Sequence, residues 1–204
     1  TGVGGTGVVT ISNLVGAAAQ AQGLAIQALD LTGLAQKFGA VHCHLKIAAD
    51  TGSLKATRLS VGQCDVMIGA DIVTSASDEA LSRLRKGRTR AVVNDHDSVT
   101  GEFTRDREFH IPVDDQKRAI ERFCGEGRAE FVEVTEVAKR LTGNTIGANV
   151  TLLGYACQKG WLPVSLAALE QAIRDYGVAV SANLKVFGIG RMLAHDPAAI
   201  DGLV

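Results

Sequence analysis

The chain has 204 residues, 46% of them hydrophobic, and a formal net charge of −1. This length and composition suit one globular unit with a sizeable core. The near-neutral charge argues against non-specific nucleic-acid binding, which requires a basic face. The sequence also lacks any apolar run near the roughly 18 residues that a membrane span needs, so we expect neither nucleic acid nor membrane among its partners.

The chain opens with a glycine-rich segment, Gly2 to Gly7, that reads G-x-G-G-x-G. The apolar residues after it recur at three- and four-residue steps, which predicts an amphipathic helix. Glycines at a helix N-terminus let backbone N–H groups approach a phosphate, and the helix dipole favours the anion. We therefore predict a phosphate or nucleotide contact at Gly4, Gly5, Thr6 and Gly7. The alternative is a tight strand–helix turn without a ligand.

A glycine turn of this kind normally follows a β-strand. Only Thr1 precedes Gly2, so we expect the natural polypeptide to continue upstream of Thr1. For a similar reason, Ala198 to Val204 is expected to begin a linker or a further domain.

The segment from Leu24 to Asp30 reads as a short strand that ends in an acid. Asp30 follows the glycines at about the 20-residue distance of a ribose-binding carboxylate in dinucleotide folds, although an aspartate there is also a common turn cap. The next loop contains an amide and a cation at the edge where open α/β sheets bind ligands. We predict ligand contacts at Thr32, Gln36 and Lys37, where Lys37 meets an anion or a partner's carboxylate, or else is a solvated loop lysine.

The segment from Ala40 to Ala48 alternates apolar and polar residues, which predicts a strand. Turn residues follow at 50–53, and 54–59 is expected to return antiparallel to that strand. His42 and His44 share one face in an H-x-H spacing that also occurs in metal hydrolases. Since no matching cluster of Asp or His accompanies them, we expect no metal site.

The rest of the chain alternates further strands and helices. Strands are predicted at 65–70, 90–95 and 129–134, and helices at 77–86, 115–124 and 135–141, with a polar surface hairpin at 96–112. Three more helices are predicted at 146–159, from Ser165 onward, and at 178–194. We therefore predict a three-layer α/β/α fold with a mostly parallel sheet, an antiparallel hairpin excursion and a helical C-terminal layer. It forms a single unit over 1–204, with a sheet portion at about 1–145 and a helical portion at about 146–194.

The cysteines, Cys43, Cys64, Cys124 and Cys157, are scattered and include no C-x-x-C pair. Iron–sulfur and zinc sites need clustered thiolates, so we interpret these residues as free thiols and place the chain in a reducing cytoplasm. We find no nucleophile elbow of G-x-S-x-G type and no convincing catalytic set.

Taken together, these segments resemble the gamma domain of the 2-oxoacid:ferredoxin oxidoreductases, most closely the gamma region of the fused indolepyruvate ferredoxin oxidoreductases. The stretch from Thr32 to Lys37 is the most specific part of the resemblance. In many other family members the corresponding loop reads Gly-Pro-Glu-Arg-Arg-Gly, so its form here favours an indolepyruvate-type enzyme. The segments that carry the resemblance are Gly2–Thr10, Leu29–Val41, Ala70–Val73, Gly143–Thr145, Asn183–Leu184, Phe187 and Gly190–Arg191.

The resemblance implies a role within a larger enzyme. Enzymes of this family oxidatively decarboxylate a 2-oxoacid on thiamine diphosphate, pass electrons through iron–sulfur clusters to ferredoxin, and release an acyl-CoA. The thiamine and cluster ligands are expected on other domains, and this unit is expected to help to assemble the thiamine diphosphate and CoA site. The implied partners are the thiamine-binding and ferredoxin-type domains, ferredoxin, and a second copy in a homodimer. The isolated unit is expected to be inactive.

Two other interpretations start from the same glycines. A free-standing NAD(P)-binding enzyme would use Gly2, Gly4, Gly7 and Asp30, but the chain has no residue recognisable as a hydride-transfer partner. An ATP-using adenylating enzyme would need an arginine and paired acids near the phosphates, and their spacing is not evident.

Overall fold

The computed structural model describes residues 1–5, 7–32, 39–96, 113–143, 145 and 147–200. These residues form two three-stranded sheets flanked by helices, and the predicted α/β fold class is confirmed. The antiparallel sheet has the order β1–β3–β2 and consists of β1 (Gly2–Val3), β2 (Ala25–Thr32) and β3 (Ala40–Ala48). The parallel sheet consists of β4 (Val66–Gly69), β5 (Arg90–Asn94) and β6 (Ala129–Val132).

Helices cover both faces of these sheets. One face carries α1 (Val8–Ala21), α5 (Val134–Thr142), α6 (Ala148–Gln158), α7 (Leu166–Tyr176) and α8 (Val180–His195). The other face carries α2 (Ile72–Ser75), α3 (Asp78–Leu81) and α4 (Val113–Cys124). Within the described ranges, no helix combines the length and the apolar character needed to cross a bilayer.

Thr1 connects the two sheets. Its amino group donates to the Ile68 carbonyl (2.9 Å) and its carbonyl accepts from the Ala70 amide (2.8 Å), which is the bonding pattern of parallel strands. The next residue, Gly2, pairs with Val41 of β3. The strand order across the molecule is therefore β2–β3–β1–β4–β5–β6, with β3 running against the other described strands.

The predicted pairing of β3 was wrong. The strand itself is confirmed, but residues 54–59 form no strand, and β3 pairs instead with β2 in a register from Ala25 opposite Ala48 to Thr32 opposite Val41. The turn residues at 50–53 form a short 3-10 segment, where the Asp50 side chain accepts the Ser53 amide. The predicted hairpin at 96–112 falls almost wholly on residues 97–112, which lie outside the described ranges.

Central strand β5 contributes to two separate cores. Ala91, Val92 and Val93 have no exposed surface at all. Val92 packs in the core that includes α1 and α5 to α8, whereas Ala91 and Val93 pack in the core that includes α2 to α4. Strand alternation sends neighbouring side chains to opposite faces, so this sheet is the middle layer of an α/β/α arrangement.

Helices α6 and α8 touch through their backbones. A Cβ at Gly154 would overlap the Phe187 carbonyl oxygen, and a Cβ at Gly190 would overlap the Thr151 carbonyl oxygen. Both glycines therefore permit an approach that any larger residue would prevent. Gly188, on the same helix as Gly190, faces open space.

This packing predicts opposite effects for two glycine substitutions on one helix. Gly190→Ala should lower the free energy of unfolding by about 2–3 kcal/mol, because the methyl group forces two backbones apart. Gly188→Ala should raise it by roughly 0.5–1 kcal/mol through helix propensity alone. Urea denaturation of the two variants measures both changes, and equal effects would contradict the backbone contact.

Candidate functional site at the carboxyl edge of the sheet

The predicted glycine turn lies where β1 ends and α1 begins. Gly5 (φ 89°) and Gly7 (φ 84°) adopt the left-handed conformation that favours glycine. Gly7 is the N-cap of α1, with no side-chain hydrogen bond to cap the helix and no acidic residue in its first turn. Since the first N–H groups of a helix have no partner within it, this end of α1 offers main-chain donors to an anion. Thr6 lies outside the described residues.

The structure brings the glycine turn and the second predicted loop together. The Gly4 amide donates to the Gly39 carbonyl (2.8 Å), which joins the turn to the base of the β2–β3 hairpin. Thr32 is the exposed last residue of β2 and lies opposite Val41, which pairs with Gly2 on its other side. Thr32 and Gly2 are therefore about two strand spacings apart, roughly 9.5 Å. Gln36 and Lys37 belong to 33–38, outside the described residues.

A second helix N-terminus lies beside the first. Helix α6 is capped by Gly147 without a side-chain hydrogen bond, and its first turn also contains no acid. Asn149 is buried, and its side-chain nitrogen lies 3.2 Å from the position that a Cβ on Gly7 would occupy. The positive ends of two helix dipoles thus adjoin one another at this edge. Sequence reasoning did not identify Asn149, because a lone asparagine carries no motif.

One buried side chain ties the neighbouring strand ends together. Asn94, the last residue of β5, donates to the Ala70 carbonyl after β4 (3.2 Å) and to the Thr135 hydroxyl after β6 (2.8 Å). Its oxygen accepts the Val134 amide (3.2 Å). The amide group therefore satisfies main-chain atoms on both neighbours of β5, and sequence reasoning assigned it no role.

The placement of Asp30 contradicts a dinucleotide site. The residue lies within β2 opposite Cys43, rather than at the end of a strand, and β2 pairs with antiparallel β3 rather than with β1. The Asp30 carboxylate also interacts with the Cys43 thiol. A ribose-binding acid belongs at the end of the strand beside the glycine turn. Asp30 therefore does not occupy the position that the NAD(P)-binding interpretation requires of it.

Ionisable groups near this edge are engaged with one another. The Lys117 ammonium lies 2.6 Å from the Asp95 carboxylate, and His96 lies 3.0 Å from Glu133. Within the described ranges, no three side chains of His, Cys, Asp or Glu are arranged to hold a metal ion.

Burial disfavours the thiolate form of two cysteines, Cys43 on β3 and Cys64 just before β4. Burial, aided by the hydrogen bond to Asp30, raises the pKa of Cys43 to about 12. Burial likewise raises the pKa of Cys64 to about 12. Because the thiolate is the nucleophile, the raised pKa values disfavour the reactive form of both residues near neutral pH.

Comparison with known proteins gives one family. A family model described as pyruvate ferredoxin/flavodoxin oxidoreductase matches residues 1–193. The indolepyruvate oxidoreductase subunit IorB of Pyrococcus horikoshii is 27% identical over 199 residues, which cover 96% of this chain and 94% of the relative. The corresponding subunit of Thermococcus kodakarensis is 24% identical over 198 residues, with the same 96% and 94% shares.

Solved structures share the fold. Pyruvate oxidoreductase subunit PORC of Thermotoga maritima superimposes with a TM-score of 0.63 at 21% identity, covering 94% of this chain and 92% of that chain. The 2-oxoglutarate:ferredoxin oxidoreductase of Magnetococcus marinus, solved with 2-oxoglutarate, coenzyme A and succinyl-CoA bound, gives a TM-score of 0.67 at 16% identity. That match covers 95% of this chain and 30% of the other.

The Asn94 network predicts a graded loss of stability. Asn94→Ala should reduce the free energy of unfolding by about 2–3 kcal/mol, because it leaves the Val134 amide and the Ala70 carbonyl unpaired in the interior. Thr135→Val removes only one partner and should cost about 1 kcal/mol. Chemical denaturation of both variants tests the order, and a Thr135→Val loss as large as that of Asn94→Ala would contradict it.

Proposed function

The chain belongs to the pyruvate ferredoxin/flavodoxin oxidoreductase family, and on that premise we propose that its carboxyl edge helps to assemble the site for thiamine diphosphate and CoA. It is a gamma-type component of an oxidoreductase that acts on 2-oxoacids with an iron–sulfur protein as electron acceptor. The proposed substrate is indolepyruvate or another aryl-pyruvate, on the ground that the IorB relatives are indolepyruvate oxidoreductase subunits.

The observation that carries the proposal is the meeting of two uncapped helix N-termini at the glycine turn. The first turns of α1 and α6 contain no acidic residue, and Gly4 is bonded to the base of the β2–β3 hairpin. Main-chain N–H groups in this arrangement bind anions. The phosphate groups of CoA and of thiamine diphosphate are such anions, so the donor set fits them.

The proposed mechanism gives this chain a positioning role. Thiamine diphosphate supplies the carbanion chemistry of decarboxylation when it is bound. Main-chain donors at Gly5 and Gly7 would hold an anionic group, with Thr6 contributing from the same turn, whereas the Gly4 amide is engaged by the Gly39 carbonyl and anchors the turn. Thr32, Gln36 and Lys37 would contact it from the hairpin loop. The Asn94 network holds the ends of β4, β5 and β6 at the same edge.

The proposal extends to partners and location. The chain would dock against thiamine-binding and ferredoxin-type units that deliver electrons to ferredoxin, and it would associate with a second copy of itself. The cysteines in the described part of the chain, Cys43, Cys64, Cys124 and Cys157, are unpaired. Free thiols suit a reducing compartment, which supports a cytoplasmic location.

Activity should require the assembled enzyme. The purified chain, mixed with indolepyruvate, thiamine diphosphate, CoA and a viologen dye, should reduce no dye, because its described residues include no cluster of metal-binding side chains. Addition of the thiamine-binding and ferredoxin-type partners should start dye reduction. Steady reduction by the chain alone would contradict the proposal that the thiamine and cluster ligands lie on other units of the enzyme.

Two substitutions in the complete enzyme test the anion contact. Lys37→Ala should raise the KM for CoA about 10- to 150-fold, which corresponds to the loss of a charge-assisted contact of roughly 1.5–3 kcal/mol. Gly5→Ala should also raise this KM, because a Cβ there would project into the open space at the turn that the anion is proposed to occupy.

Gly87→Ala is the matched control for backbone strain. Gly87 has a similar positive φ of 78° and also faces open space, but it lies in the turn before β5 rather than at the glycine turn. Gly5→Ala and Gly87→Ala should lower the thermal stability by similar amounts, because both place an alanine at a positive φ, while Lys37→Ala should leave it near normal. Only Lys37→Ala and Gly5→Ala should change the CoA requirement. An unchanged KM in both would contradict the proposed contact.

A further inference from the structure

The connection between α7 and α8, residues 176–182, exposes apolar side chains and is called the apolar turn below. In the described part of the chain, the large apolar side chains that are at least 39% exposed are Val9, Val61, Tyr176 and Val178. Two of them belong to this turn, and the stretch 176–183 contains no charged residue. Apolar residues that are grouped on a surface, unlike single ones, mark interaction sites.

Hydrogen bonds hold the apolar turn in a defined conformation. Gly177 ends α7 in the left-handed region (φ 72°), and its amide donates to the Arg174 carbonyl. Ala179 begins α8 at φ 44° and ψ 42°, a region that is costly for a residue with a Cβ. The Asn183 side chain donates to the Val178 carbonyl at 2.9 Å. Because such strain persists only where the surrounding structure maintains it, the turn presents Val178 from a constrained backbone.

The path of α7 places the apolar turn on the same side of the molecule as the carboxyl edge. Helix α1 begins at the glycine turn and ends at Ala21. The next side chain, that of Gln22, accepts the Ser165 amide at the start of α7 (2.9 Å). Helix α7 packs against α1, so it runs back toward the glycine turn, and its 11 residues cover about 16 Å.

The direction of α8 gives the same placement. Its close contacts with α6 run from Val186 beside Gly147 to Gly190 beside Tyr155, so the two helices run in the same direction. Helix α6 begins beside Gly7 at the carboxyl edge. Helix α8 therefore also begins on this side, directly after the apolar turn.

The charged residues that border the apolar turn are engaged within the chain. Arg174 lies 3.5 Å from the Glu170 carboxylate, and the Asp175 carboxylate accepts from the Gln171 side chain at 2.8 Å. The centre of a protein interface is depleted of charge and rich in apolar and aromatic contacts. A partner that covers this turn therefore needs an apolar surface rather than a complementary charge.

We propose that the apolar turn docks against the thiamine-binding unit of the same enzyme, an inference that rests on the proposed function. The chain is a component of a multi-subunit oxidoreductase. The proposed site for thiamine diphosphate and CoA lies at the carboxyl edge, so the thiamine-binding unit meets this chain on the side where the turn lies. A stable interface uses about 20–30 residues from each partner, more than the turn supplies. The contact therefore continues across the carboxyl edge, where Val9 in the first turn of α1 is also exposed.

Photo-cross-linking in the complete enzyme identifies what covers the turn. Tyr176 replaced by the photoreactive p-benzoylphenylalanine should cross-link to a peptide of the thiamine-binding unit. The same replacement at Val61, which is 75% exposed and precedes β4 on the opposite side of the sheet, should give no such product. Mass spectrometry of the digest identifies the linked peptide. A link from position 176 to the ferredoxin-type unit or to a second copy, or no link, would overturn the proposal.

A charge on the apolar turn should weaken assembly. Val178→Asp should raise the concentration of thiamine-binding unit that half-restores dye reduction by at least about 10-fold, because it places a carboxylate in an apolar contact. Val61→Asp is the matched control and should change this concentration by less than about 2-fold. Both valines are exposed, so both variants should unfold at near-normal temperatures. Equal effects on assembly would overturn the proposal.

The KM for CoA separates this proposal from the anion contact. At saturating thiamine-binding unit, Val178→Asp should leave that KM unchanged, whereas Lys37→Ala and Gly5→Ala should raise it. An unchanged KM in the last two variants, together with a cross-link from position 176 to the thiamine-binding unit, would overturn the anion contact and support the docking. A Val178→Asp effect confined to the KM for CoA would overturn the docking.

Discussion

The arrangement of the carboxyl edge depends on the main chain from Thr1 to Gly4. Thr1 is bonded to β4, Gly2 is paired with β3, and Gly4 is bonded to Gly39 at the base of the hairpin. These few hydrogen bonds join an antiparallel sheet to a parallel one and bring the N-terminus of α1 beside both. Without them, no backbone hydrogen bond would hold the glycine turn against the base of the β2–β3 hairpin or β1 against β4.

Local signals predicted the helices that have clear caps and the strands with clear alternation. Ser165 accepts the Ala168 amide at the start of α7, as the sequence indicated, and β3 has the predicted limits. The pairing of β3 was wrong because residues 50–53 form a turn whether or not a strand comes after them. The Leu59 amide then bonds to the His44 ring instead of to a strand. Pairing is a non-local property, and the competing partner β2 is separated from β3 by residues 33–39 in the sequence.

The carboxyl edge of the sheet was predictable only in part. A glycine turn before an apolar periodic segment identified the start of α1, since that chemistry is local. Asn94 and Asn149 carried no signal, because their importance arises from which strand and helix ends the fold places around them. Asp30 had the expected sequence distance from the glycines, but the reversed direction of β3 removed β2 from the position beside β1. Sequence spacing does not specify strand order.

The close contact of α6 with α8 has a consequence for motion at the edge. Because main-chain atoms meet at Gly154 and Gly190 with no side chain between them, neither helix can slide along the other without steric overlap. At the amino end of α6, a Cβ on Gly147 would lie only 2.8 Å from a methyl carbon of Val186. The close packing of α6 against α8 therefore extends to the first turn of α6. The backbone of Asn149, in the first turn of α6, is therefore held in place by the packing against α8. The dipole of α6 therefore keeps a constant direction at this edge.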